Sequence, residues 1–236
     1  MTITNFTERM QRHFVMKLES LKSTLIRMSS LAEQAIAESI RALLERNPEV
    51  ARRVIMEDEG INQLEVVIDN EVVDLLALQQ PVATDLRLIL AAQKINNDLE
   101  RIGDHAVNIA ESDLQYASQS PITRPLDIPR MATITKTMLR EAIDAFIHGD
   151  SRLARNVLKN DDEIDDLNRK TIDELVEVIR ENPGTLLEQA LDLIRVSRNL
   201  ERVADLATNI AEEVIFITDA QVVKHHQLDH LQAPRE

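Results

Sequence analysis

One phrase occurs twice. Residues 99–111 read LERIGDHAVNIAE and residues 200–212 read LERVADLATNIAE, with nine of thirteen positions identical and no gap. A repeated phrase of this kind restricts the chain to folds built from two copies of one unit. Helices that merely repeat a core would match best at apolar positions. Here Glu100 and Glu201, Arg101 and Arg202, Asp104 and Asp205, and Asn108 and Asn209 match as faithfully as Leu99 and Leu200.

Sliding the two halves past each other extends the match. Ile40, Ala51, Val54, Asp58, Ile61, Leu64 and Glu71 meet Ile143, Ala154, Val157, Asp161, Ile164, Leu167 and Glu174 at an offset of 103, whereas the phrase matches at 101. The slip places a loop near Gln79–Pro81 and another near Asn182–Gly184. Between the halves, ASQSPITRPLDIPR (117–130) carries Pro121, Pro125 and Pro129 and excludes a regular helix. Each half therefore holds three helical segments, at 4–47, 49–79 and 82–116 and at 130–148, 151–181 and 185–218. In the third segment Leu88, Ala92, Ile95, Leu99, Ile102, Ala106 and Ile109 alternate spacings of four and three, the seam of an antiparallel bundle. Four Gly, no Trp and 2% aromatic residues leave little from which to build sheets. The expected fold is all-α: two pseudo-repeated three-helix bundles over 1–118 and 129–218, with a flexible tail at 219–236.

A formal net charge of −14 argues against nucleic acid and anionic membrane surfaces as partners. No cysteine is present, so disulfides and zinc-thiolate sites are not available. The opening residues lack the apolar run of a signal peptide, and no later stretch approaches the roughly 20 apolar residues of a membrane span. These features point to a soluble, cytoplasmic protein.

The chemistry lies in the copied acids. At about 100° per residue, Glu100, Asp104 and Asn108 form a row along the shoulder of the seam, and Glu201, Asp205 and Asn209 form its copy. Like charges at i and i+4 cost a few tenths of a kcal/mol on a helix, so keeping the pair twice points to a compensating cation. E-x-x-x-D supplies two oxygen ligands from adjacent turns to a hard or borderline ion such as Mg²⁺, Mn²⁺ or iron. The bland alternative is a solvated, salt-bridged face. The middle segments add Asp58 and Asn62 in one half and Asp161 and Asp165 in the other, which makes the first site the poorer in charge. Glu65 and Asp69 lack acidic counterparts (Asn168 and Ile172) and are expected on the surface.

A ferritin-like di-iron enzyme needs Glu-x-x-His pairs, and Gly103 and Ala204 stand where that histidine belongs. His105 lies on another face and has Leu206 opposite it, as expected of a surface or interface residue. His225, His226 and His230 are expected to be solvated in the tail. Nothing in the sequence supports a kinase, ATPase or hydrolase.

The doubled L-E-R-[IV]-x-D-x-x-x-N-I motif, with QPVATDLRLIL (80–90) leading into its first copy, resembles the PhoU family of phosphate-transport regulators over about residues 10–218. The resemblance implies a cytoplasmic homodimer of paired three-helix bundles, not an enzyme. Such a protein works with the phosphate ABC transporter and its sensor histidine kinase to restrain uptake and keep the phosphate-starvation regulon off. It reaches the membrane only through those partners. The family's E(D)-x-x-x-D motifs hold metal clusters of Fe, Zn, Mn or Mg. Carried over, the ligands are Glu100, Asp104, Glu201 and Asp205, with Asp58, Asp161 and Asp165 beside them. A metalloenzyme using the same carboxylates, or a metal-free helical adaptor, are the other readings of these acids.

Overall fold

The structure, a computed structural model, describes residues 3–79, 81–182 and 184–223, with side chains from residue 12 onward except that of residue 79. Its elements are α1 (Ile3–Glu45), α2 (Pro48–Glu57), α3 (Glu59–Gln79), α4 (Ala83–Ala117), α5 (Ile128–His148), α6 (Ser151–Leu158), α7 (Asp161–Glu181) and α8 (Leu187–Asp219). The all-α expectation holds, and among the described residues there is no strand. Each middle segment, expected as one helix, is two. The first bends at Asp58, whose carbonyl accepts from both Ile61 N and Asn62 N. The second bends at Lys159–Asn160, where i→i−3 bonds to Asn156 and Val157 replace the helical ladder.

The repeat reaches into the caps. The Asn47 side chain accepts from the backbone N–H groups of Glu49 and Val50, and the Asp150 side chain, 103 residues on, accepts from those of Arg152 and Leu153. The residues before them, Arg46 and Gly149, both adopt left-handed backbone, with φ of 52° and 62°. Glycine takes this conformation freely. Arg46 is held in it by its guanidinium, which donates to the carbonyls of Tyr116 (3.0 Å), Ala117 (3.1 Å) and Gln119 and lies over the Tyr116 ring. One arginine thereby satisfies carbonyls left open where α4 ends.

In the first half α1 packs on α3 and α4, and in the second α5 and α7 pack on α8. The two halves do not stand apart: α4 lies antiparallel to α8, α1 touches α5, and one continuous apolar core runs through both. Consequently α4 and α8 are buried around most of their circumference. The linker is tied down by Arg124, which donates to both Glu181 carboxylate oxygens and to the Glu174 carbonyl. Among the described residues no helix is long and apolar enough to cross a membrane.

Candidate metal centres and the interface between them

The start of α7 just after the Lys159–Asn160 bend and the unbroken helix α8 bring one carboxylate group together in the second half. Asp165, from α7, and Glu201 and Asp205, from α8, each offer an oxygen within 4.8 Å of the others, and Asp161 adjoins them electrostatically. Partial desolvation of Asp205, which keeps an exposed edge, and then the neighbouring Glu201, Asp161 and Asp165 push its carboxyl up to about 6. Burial and Asp165 also raise Glu201. Acids crowded to this degree hold protons more tightly than isolated ones, and a cation in their midst would relieve the repulsion. The donor set is all oxygen, which fits Mg²⁺, Mn²⁺ and iron better than zinc.

In the first half, Asp58, Glu100 and Asp104 also face one another, but more loosely. Burial raises Asp58, and Asp104 raises it further, while Asn62 Nδ2 donates to Asp58 Oδ2 at 3.0 Å and opposes the shift. Glu100 is raised by burial and then by Asp104, Glu65 and Asp58. Glu65 is thus half-buried against α4 and not a surface residue, so the first cluster also contains four carboxylates. Asp69 is likewise structural: it accepts from Gln93 Nε2 (2.7 Å) and from the buried Asn96 Nδ2 (2.9 Å), which pins α3 to α4. Only a view of α3 against α4 reveals these roles, since neither residue has an acidic repeat mate.

Gly103 explains how α4 comes so close to Asp58. A Cβ there would meet Asp58 Oδ1 and Ile61 Cδ1, each at 2.9 Å. A glycine in mid-helix was the sequence signal for this close approach, and the second half carries Ala204 instead.

Asn108 leaves the row it shares with Glu100 and Asp104. Over eight residues a helix turns about 80° past register, and Asn108 accordingly lines a groove between α4 and α8. That interface is rich in polar groups. Lys94 Nζ pairs with Glu213 Oε1 (2.7 Å), Asn209 bears on Asp98 and favours its charged form, and His105 Nδ1 meets Asn199 Oδ1 (2.9 Å). His105 is therefore an internal interface residue, and burial lowers its pKa. Burial also raises Asp98 to about 6. Sequence reasoning missed these acids, and it missed Asp113, which occupies a core position of α4 with neither carboxylate oxygen hydrogen-bonded. His225, His226 and His230 lie outside the described residues.

Comparison with known proteins agrees with the doubled architecture. The PhoU domain profile matches twice, over residues 25–112 and 128–214. A phosphate-specific transport system accessory protein PhoU homolog of Aquifex aeolicus is 38% identical over 212 residues, covering 90% of this chain and 96% of the relative. The homolog of Pseudomonas putida is 36% identical over 230 residues, covering 97% and 90%. The crystal structure of PhoU from Pseudomonas aeruginosa superimposes with a TM-score of 0.85 at 35% identity, over 88% of this chain and all of that one. With both halves matched and relatives of this identity aligned over nearly their whole length, the chain belongs to the PhoU family.

Proposed function

We propose that this chain is a non-enzymatic regulator of phosphate transport that restrains uptake and holds the phosphate-starvation regulon off. It acts in the cytoplasm as a homodimer, in contact with the phosphate ABC transporter ATPase and the phosphate-sensing histidine kinase. Two supports carry the transport role: relatives aligned over nearly the full chain are named accessory proteins of phosphate-specific transport, and both halves repeat one acidic cluster.

The acids give the reading its physical content. Glu201, Asp205, Asp165 and Asp161 would hold one metal site, and Glu100, Asp104 and Asp58 the other. When bound, the metal supplies concentrated positive charge inside an otherwise acidic face. The remaining carboxylates, screened and fixed in place, meet basic surfaces of the ATPase or kinase. Such contacts steer association and select partners more than they add raw affinity. Regulation then requires that one state of the partner be contacted better than another, since equal contact with both shifts nothing.

Elemental analysis tests the metal component, comparing the wild type with a variant in which Glu100, Asp104, Glu201 and Asp205 are all replaced by Ala, with helicity followed in both. Metal in the wild type and not in the helical variant supports it. Co-purification with the transporter ATPase tests the docking component. Retention of the metal-free variant by the ATPase at wild-type strength refutes docking through the clusters.

A further inference from the structure

The pseudo-repeat gives the α4–α8 contact two ends that should be equivalent. At one end stand Lys94, Asp98, Arg101 and Glu213; their mates 101 residues along, or back, are Arg195, Asn199, Arg202 and Ser112. The basic residues are kept at both ends. The carboxylates are not: Asp98 becomes Asn199 and Glu213 becomes Ser112.

The consequence is visible in the packing. At the acidic end Glu213 receives Lys94 at 2.7 Å and Asp98 lies 3.8 Å from Arg101, so the protein neutralises its own cations. At the other end a groove of about 270 Å³ opens, walled by Arg195 and Arg202 from α8 and by Asn108 and Gln115 from α4. Arg195 is ion-paired at 2.8 Å with the buried Asp192, a carboxylate this end gains where the repeat has Ala91, and keeps the further donors of its fork, so Arg202 is the cation left without a carboxylate here. Arg202 reaches no carboxylate within ion-pair distance among the described residues, although its charge acts on His105, Glu201 and Asp205. The volume is at the small end for ligand pockets, right for an ion and too small for a drug-sized molecule.

We propose that this groove binds inorganic phosphate, the anion standing where the repeat has removed two carboxylates. Arginine forks match tetrahedral oxyanions, and the Asn108 and Gln115 amides supply neutral donors from the opposite wall. Glu111 also lines the groove. A carboxylate repels a fully ionised anion but accepts a hydrogen bond from one that still carries a proton. Phosphate carries such a proton near neutral pH and sulfate does not. The groove therefore selects phosphate over sulfate through Glu111. The site stands on the α4–α8 groove alone and does not require the metal clusters.

The test is calorimetric titration of the full chain, stripped of metal by chelation, with inorganic phosphate and then with sulfate at neutral pH. The wild type is expected to saturate with phosphate and to bind sulfate at least tenfold more weakly. Arg202→Gln, an exposed substitution whose helicity is checked in parallel, is expected to weaken phosphate at least tenfold. Glu111→Gln is expected to abolish the preference for phosphate over sulfate. No saturation by about 10 mM phosphate, a Kd weaker than the millimolar range, overturns the proposal. Undiminished phosphate binding by the folded Arg202→Gln protein overturns it too. Chelation keeps the outcome separate from the metal reading, because metal-held phosphate cannot contribute.

Discussion

The two carboxylate clusters contain the same number of acids and are not the same site. In the first half α3 carries Asn62 and Glu65; at the matching positions α7 carries Asp165 and Asn168. Acid and amide have exchanged places across one helical turn. In the second half the result is a trio of oxygens within 4.8 Å of one another. In the first, Asn62 is spent on Asp58 and Glu65 bears on Glu100 from a turn away. Charge count is thus shared between the halves, and convergence is not.

The largest effect expected from this difference is on metal binding. A saturating ion at 100 times its dissociation constant stabilises a fold by about 2.7 kcal/mol. Thermal unfolding with and without Mn²⁺ should show that Glu201→Gln with Asp205→Asn removes most of this gain, and Glu100→Gln with Asp104→Asn much less. Equal losses would mean that convergence of the trio does not set affinity.

Next in size is Asp113, 3% exposed, whose mate Val214 is 1% exposed. Burial pushes the Asp113 carboxyl up to about 8, from an ordinary value of 3.8. A raised carboxyl opposes folding only where the unfolded chain would ionise. Its penalty is absent below about pH 4, grows towards pH 8 and is constant above. Asp113→Val makes the two halves alike at this position and should stabilise the protein at pH 7 by about 1–3 kcal/mol, the usual cost of an unsatisfied buried polar group. Urea midpoints at pH 4, 6 and 8 should diverge between the two proteins as pH rises. Parallel curves would show that Asp113 is satisfied in solution.

How much of this was legible follows from what repeats. The helical segments, the loop positions and the copied acids follow from periodicity and from Asn47-Pro48, Gly149 and the 121–129 prolines. The bends at Asp58 and at Lys159–Asn160 carry no proline or glycine at the bend itself, and so read as continuous helix. Asp98 and Glu213 sit on faces that a single three-helix bundle would expose. They are buried only because α4 and α8 pack on each other, a pairing between halves that no spacing within either half encodes. Glu65 was misplaced because comparison by repeat asks what matches, and its contribution lies in what does not.

Transplanting the second pattern into the first half sharpens the comparison further. Asn62→Asp with Glu65→Asn keeps the acid count and moves one carboxylate a turn along α3 towards Asp58 and Asp104. The first site should then bind metal about tenfold more tightly, about 1.4 kcal/mol, read as the shift of its midpoint in a Mn²⁺ titration of a protein whose second cluster is disabled. Unchanged affinity would locate the difference between the halves in the backbone and not in these two side chains.

The smallest effect separates Gly103 from Ala204. In a helix interior alanine is favoured over glycine by about 1 kcal/mol, so Gly103→Ala should stabilise the chain if nothing else changes. The added methyl, however, falls 2.9 Å from both Asp58 Oδ1 and Ile61 Cδ1, and one of them must move. The two effects oppose each other, and the net change in unfolding free energy should stay below about 1 kcal/mol. Ala204→Gly has no such compensation and should cost about the full propensity difference. The two variants part again at the metal. Displacing Asp58 weakens the first site while helicity is kept, whereas Ala204→Gly leaves the second site's acids where they are. If Gly103→Ala falls short of the full propensity gain yet holds metal as the wild type does, the glycine serves close packing of α4 on Ile61 alone, and Asp58 does not belong to the first cluster.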